Sequence, residues 1–126
     1  MIKDDNKVIV TEFLNMVVVG KIDEAYKKYV DMNGKHHNVF YAAGFDVLKQ
    51  GMIDNEKIFT DKKFHMKNIV AEGDFVAVHS NVILDEKKGP NLITLHLFKI
   101  KKGKISEMWD AGQEIPKDMV NKDGAF

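Results

Sequence analysis

The sequence predicts an α+β fold in which three helices precede an antiparallel sheet. Apolar residues recur every three to four positions through most of residues 6–61, as in amphipathic helices. From Lys63 onward the period changes to two, which is typical of strands with alternating faces. Glycine-containing turns separate four such runs. A group of helices followed by a group of strands is the order found in α+β domains.

Helices are predicted at residues 6–19, 21–31 and 44–61. The first should bury one broad stripe made of Val8, Ile9, Phe13, Met16 and Val17. The second has the cleanest helical spacing, carried by Ile22, Ala25, Tyr26, Tyr29 and Val30. The third is interrupted by Gly51 and should turn Phe45, Leu48, Met52 and Phe59 inward. Residues 30–43 lack a clear period and are interpreted as a loop with a short strand.

Strands are predicted at 63–71, 75–85, 91–100 and 104–113, and both faces of this sheet carry apolar side chains. One face of the second strand holds Val76, Val78, Val82 and Leu84, and the other holds Phe75, Ala77, His79, Asn81 and Ile83. On the last hairpin Leu95, Leu97 and Trp109 face away from His96. An antiparallel sheet commonly leaves one face to water. The helices can cover only one face, so we expect a homodimer through the sheet.

The last hairpin brings an acid and a base together. A three-residue loop at 101–103 with glycine last would set His96 opposite Met108 and Thr94 opposite Asp110. His96 and Asp110 would then share a face as diagonal neighbours, with Cα atoms roughly 7–8 Å apart. A two-residue loop would instead pair His96 with Trp109 and turn Asp110 to the other face.

Composition excludes several function classes. The chain has 126 residues, the size of one domain spanning 1–126, and no net charge. All 19 basic residues are lysines, dispersed without a basic stripe, which argues against a nucleic-acid partner. Cysteine is absent, so disulfides and thiolate chemistry are excluded. No apolar run is long enough to span a membrane, and no signal peptide is evident, so a cytoplasmic protein without a membrane partner is expected.

Three segments resemble the SnoaL-like polyketide cyclase family of the nuclear-transport-factor-like superfamily. They are residues 76–82, residues 103–116, and His37-Asn38, and the closing residues 121–126 also resemble the family's C-terminus. The likeness covers nearly the whole chain. It departs from the family pattern at Val39, where proline is common, and at Asn81, where a second histidine is common.

The resemblance implies a cystatin-like fold: helices packed in a curved, mostly antiparallel sheet of four to six strands, a cone-shaped barrel with one pocket. It also implies a dimer. In these cyclases an aspartate on the last strand is the base and a histidine on the preceding strand assists. Asp110 and His96 match those positions.

The residues also support this pair directly, because desolvation in an apolar pocket raises a carboxyl group's proton affinity toward values useful for removing a proton alpha to a carbonyl. The alternative is an Asp110 held by backbone donors or Lys104, and a His96 with a purely structural role.

Candidate ligand-binding residues are His79, Asn38, His37, Asn81, Phe98 and Met108. His79 is expected beside His96, and Asn38 has an equally good reading as a turn residue. The remaining aromatics, Tyr26, Tyr29, Tyr41 and Trp109, are interpreted as core.

No metal-ligand spacing, phosphate loop or nucleophile motif occurs, so no cofactor and no metal are expected. Three classes of function remain. The first is a cofactor-free acid/base enzyme (a cyclase, isomerase or aldol-type enzyme) for a small apolar carbonyl compound. The second is a small-molecule-binding dimer without turnover, and the third is a dimeric interaction module whose pocket is filled by side chains.

Overall fold

Three helices line one face of a five-stranded sheet in the computed structural model, which describes residues 2–126, with side chains from Asp5 onward. The elements in chain order are α1 (Ile2–Val18), α2 (Ile22–Tyr29), β1 (Val30–His36), α3 (Phe45–Ile58), β2 (Lys63–Glu72), β3 (Phe75–Ile83), β4 (Asn91–Lys101) and β5 (Lys104–Glu114). This order confirms the predicted α+β class. The short strand expected within residues 30–43 is β1, and it begins where α2 ends.

The sheet has the order β1-β5-β4-β3-β2 and is curved but not closed, with β1 and β2 as its edges. The four predicted strands form the antiparallel meander β2 to β5. The added strand β1 pairs in parallel with β5, so the sheet is mixed. Because β1 follows α2 directly, this pairing brings the segment after His36 next to the middle of β5.

The core lies between the helices and the inner face of the sheet, the face toward them. From α2 it takes the predicted residues Ile22, Ala25, Tyr26 and Tyr29. In α1 the stripe is rotated from the prediction: Val10, Phe13 and Leu14 are buried, whereas Val8 is 58% exposed. Residues 8–10 are all apolar, so the sequence pattern was compatible with burial of either of two faces of α1. The observed face places Phe13 edge-on to Tyr26 and Phe98, with ring centroids 5.4 and 6.2 Å apart.

The register of the β4–β5 hairpin differs from the prediction. The loop has two residues, Lys102 and Gly103, with φ angles of 52° and 75°, as a type I′ turn requires. A bulge follows, because the pairing shifts between Ile100 opposite Ile105 and Lys99 opposite Glu107, which leaves Ser106 as an extra residue in β5. Phe98 therefore faces Met108, not Ser106, and His96 faces Asp110 directly.

Gly51 in the middle of α3 has a packing role. The ring of Tyr41, in the loop after β1, occupies the place where a Cβ at this position would project. Gly51 is accordingly one of the buried residues of α3. Gly51, which interrupts the helical sequence pattern, thus leaves room for the Tyr41 ring, and this contact packs the loop of residues 37–44 against α3.

We predict that Gly51→Ala displaces the Tyr41 ring. Alanine in place of glycine inside a helix usually stabilises a protein by about 1 kcal/mol. That gain should appear in a Tyr41→Ala background and be lost in the wild-type background, a coupling on the order of 1 kcal/mol. Urea unfolding of the four proteins of this double-mutant cycle measures it. An equal effect of Gly51→Ala in both backgrounds would contradict the packing role.

Candidate functional site

The inner face of the sheet carries three cross-strand rows that change from apolar to polar. The first row, Val76, Phe98 and Met108, is buried in the core. The second row is Val78, His96 and Asp110, and the third is Ser80, Thr94 and Gly112. In the third row the hydroxyls of Ser80 and Thr94 lie 2.6 Å apart. The acid/base pair therefore stands at the boundary between the apolar core and a polar margin.

Asp110 is held by a residue of the loop that follows β1. The Asn38 side-chain amide donates to Asp110 Oδ2 at 3.0 Å, and Oδ1 accepts no hydrogen bond from any residue of the described chain. The carboxyl group is only partly buried. One oxygen is thus fixed in position by Asn38, and the other has no partner among the described residues.

Asn38 is itself positioned by His36, the buried residue at the end of β1. His36 Nδ1 accepts from the Asn38 backbone N–H at 3.1 Å, and Nε2 lies 2.8 Å from the Ala42 carbonyl oxygen. Because Nδ1 accepts a hydrogen bond, Nε2 carries the hydrogen and donates it to Ala42. His36 therefore closes the loop of residues 36–42 and aims Asn38 at Asp110. His37 was the predicted ligand-binding residue and His36 was not, although the two adjacent histidines both precede Asn38.

The His96 side chain is uncharged at neutral pH. Its ring stacks on Phe98, with centroids 5.7 Å apart and planes within 9°. Burial lowers the pKa of His96 below its usual 6.5, and the nearby Asp110 charge opposes that shift without overcoming it. Within the described residues, Nδ1 of His96 is the one fully buried side-chain nitrogen or oxygen without a hydrogen-bond partner.

The structure brings Asp110, His96, Asn38, Phe98 and Met108 together and separates the other predicted ligand-binding residues from them. His37 points to the outer face, where its Nε2 lies 2.6 Å from Glu107 Oε2 and its ring stacks on Trp109. Asn81, also on the outer face, donates its amide to Asn91 Oδ1 and to the Leu92 carbonyl. These contacts favour structural roles for both side chains.

The expectation that His79 lies beside His96 is wrong. Val78 stands opposite His96, and His79 stands opposite Leu95. The β3–β4 register differs by one residue from the one guessed from the turn, and a shift of one residue moves a side chain to the other face. On that outer face, His79 Nδ1 lies 3.0 Å from the Asn68 amide, and Phe126 packs against the ring.

The outer face carries an open groove of about 400 Å³ between β2 and β5. Its apolar outer-face lining consists of Val70, Ala77, Leu95, Leu97, Trp109 and Ala111. Leu95 and Val70 are 55% and 62% exposed, so the predicted two-sided apolar sheet is present.

Among the described side chains, no group of three His, Asp or Glu residues is arranged to hold a metal ion. None of the helices described here has the length and apolarity needed to cross a membrane.

We predict that His96 makes the folded protein sensitive to acid. A histidine whose pKa is lowered on folding binds its proton more readily in the unfolded state, so stability falls as pH drops below about 6.5. Relative to the His96→Gln variant, the free energy of unfolding of the wild type should fall by up to about 1.4 kcal/mol per pH unit in this range. Urea unfolding at pH 7.5 and pH 5.5 measures the difference. The exposed-residue variant His65→Gln is the control and should behave as wild type; an unchanged slope in His96→Gln would refute the prediction.

The chain matches no protein-family model and no curated protein sequence. It is similar in structure to solved proteins of low sequence identity. One is a provisionally assigned SnoaL-like polyketide cyclase from Jannaschia sp. CCS1, with 15% identity, a TM-score of 0.76, and coverage of 89% of this chain and 88% of that chain. Another is a provisionally assigned polyketide cyclase from Bacillus cereus ATCC 10987, with 19% identity, a TM-score of 0.75, and coverage of 86% and 74%.

A third similar structure is an NTF2-like protein of unknown function from Cytophaga hutchinsonii ATCC 33406. It shares 15% identity and a TM-score of 0.70, with coverage of 86% of this chain and 89% of that chain. At these sequence identities structural similarity establishes the fold alone, and the chemistry has to be argued from the residues of the site. The helices, the mixed five-stranded sheet and these neighbours together show that the chain has an α+β fold shared with SnoaL-like and NTF2-like structures.

Proposed function

We propose that this protein is a cofactor-free acid/base enzyme that acts on a small, largely apolar carbonyl compound. The observation that carries the proposal is the pairing of Asp110 directly opposite His96, with one Asp110 oxygen held by Asn38 and the other left free. The buried row of Val76, Phe98 and Met108 makes the core side of the pair apolar. The similar structures assigned as polyketide cyclases agree with this class of chemistry.

The proposed step is removal of a proton from the carbon next to a carbonyl group. Asp110 Oδ1 takes the proton, the electrons of the C–H bond form the enolate, and negative charge develops on the carbonyl oxygen. His96 is neutral, so it assists by hydrogen bonding to that oxygen and not by carrying a charge. Return of the proton to another carbon gives isomerisation, and attack of the enolate on a second carbonyl gives an aldol-type ring closure. In neither case is a redox partner needed.

Asp110→Asn should abolish proton abstraction while the protein stays folded, because an amide has nearly the same shape and cannot accept the proton. With 2-tetralone as probe, the rate of α-proton exchange into D₂O, followed by NMR, should fall by about 10²–10⁴-fold. His96→Gln should reduce the rate less. Glu107→Gln, on the outer face of the same strand, is the matched control and should keep the rate. Equal exchange by wild type and Asp110→Asn would refute the acid/base function.

The alternative function is a small-molecule-binding homodimer without turnover. The outer face of the sheet favours a dimer whether the protein is an enzyme or a binding protein, since its apolar residues include Leu95 at 55% exposure and Leu97 at 36%. We propose that a second copy of the chain covers this face, in an interface that should exceed about 1,000 Å² in total.

Leu95→Glu should separate the two copies, because it places a charge at the centre of the proposed interface. Sedimentation at micromolar concentration should show a dimer for wild type and a 14.4 kDa species for the variant. Val8→Glu is the matched control, since Val8 is 58% exposed on α1, away from the sheet's outer face. A wild-type protein that sediments as a monomer would exclude the interface.

A further inference from the structure

We infer that His36 is a positioning residue of the reaction, which acts through Asn38 to leave Oδ1 of Asp110 as the oxygen that takes the proton. The inference rests on the proposed function and adds one residue to it. His36 is the last residue of β1, stands beside Met108 of β5 and is only 7% exposed.

Packing alone does not account for a histidine at position 36. The ring lies next to Phe45 of α3, with centroids 6.1 Å apart, and the strand register places it beside Met108. An apolar side chain would suit these two neighbours without burying polar atoms. A buried histidine has to find partners for its ring nitrogens, and both partners of His36 belong to the loop of residues 37–44. The polarity of the ring is therefore used to hold this loop.

The two hydrogen bonds of His36 lead to Asp110 by one route. Nε2 donates to the Ala42 carbonyl at 2.8 Å and ties down the far side of the loop, whereas Nδ1 accepts from the Asn38 backbone N–H at 3.1 Å. The Asn38 side-chain oxygen accepts from the Phe40 N–H at 2.9 Å within the same turn. The amide nitrogen is thus the end of Asn38 that faces Asp110, where it donates to Oδ2 at 3.0 Å.

This route makes the two oxygens of Asp110 inequivalent. A free carboxylate can rotate and exchange its oxygens, but the amide of Asn38 restrains Oδ2. Oδ1 has no partner among the described residues and is the oxygen that receives the proton in the proposed step. Proton transfer from carbon depends on a closely held geometry of the reacting atoms, so a carboxylate released by Asn38 should react more slowly. Because this loss concerns the reacting geometry, it should lower kcat and leave KM nearly unchanged.

Two variants of His36 separate its two hydrogen bonds. Asparagine carries its oxygen at the position of Nδ1, so His36→Asn can still accept from Asn38. Glutamine reaches to the position of Nε2, so His36→Gln keeps the bond to Ala42 and loses the one to Asn38. His36→Gln should lower kcat for 2-tetralone exchange about tenfold to a hundredfold, and His36→Asn should lower it less. The rates are compared at a temperature at which urea unfolding shows every protein folded, with the exposed-residue variant His65→Gln as the control that keeps the wild-type rate.

NMR of the wild-type protein tests the same contact without turnover. In ¹⁵N-labelled protein an N–H···N hydrogen bond transmits a ¹⁵N–¹⁵N coupling, which is expected between the Asn38 backbone nitrogen and His36 Nδ1, with the ring hydrogen on Nε2. The side-chain amide signals of Asn38 report its contact with Asp110. In His36→Gln these signals should move toward their positions in Asp110→Ala, and in His36→Asn they should stay near the wild-type positions.

The outcomes separate this inference from the proposed function. If wild type shows no 2-tetralone exchange but the coupling is present and the Asn38 signals respond as expected, the enzyme proposal fails and His36 still positions Asp110. If exchange depends on Asp110 but His36→Gln and His36→Asn exchange equally fast, the positioning role fails alone. If His36→Gln does not fold, the other two measurements decide: a missing coupling in wild type, or a His36→Asn rate as low as that of Asp110→Asn, overturns the role.

Discussion

The register of the β4–β5 hairpin is the constraint on which the site depends. A two-residue turn by itself would pair His96 with Trp109 and place Asp110 on the outer face. The extra residue Ser106 shifts the pairing by one and restores Asp110 to the inner face, opposite His96. The hydrogen bond from Asn38, on the loop that follows β1, to Asp110 is made on this face.

The fold was predictable because its signals are periodic. The change of apolar period at Lys63 separated helices from strands, and α2 buries the residues that its spacing indicated. The shared face of His96 and Asp110 was also predicted, although through a wrong register. A three-residue loop and a two-residue loop followed by a bulge both leave an odd residue in the hairpin, so they agree on which side chains share a face. Turn type depends on backbone angles at Lys102 and Gly103 that composition alone does not determine.

Less of the site could be predicted, because it depends on contacts between segments distant in sequence. His36 and His37 are adjacent and chemically identical, and only the direction of β1 decides which one turns inward. His79 was misplaced for a similar reason, since a single-residue offset between β3 and β4 changes its face. Tyr26 has the spacing of a core residue and is one.

The two faces of β5 are mechanically linked. The same alternation that directs Met108 and Asp110 inward directs Trp109 and Ala111 outward, with Trp109 stacked on His37. His37 in turn adjoins Asn38, so the outer stack and the inner hydrogen bond to Asp110 share one short stretch of backbone. Trp109 lines the outer groove, so a molecule in that groove would contact the ring on which His37 is stacked. The apolar outer face and the acid/base row are therefore connected through two segments that serve both faces, strand β5 and the turn from His37 to Asn38.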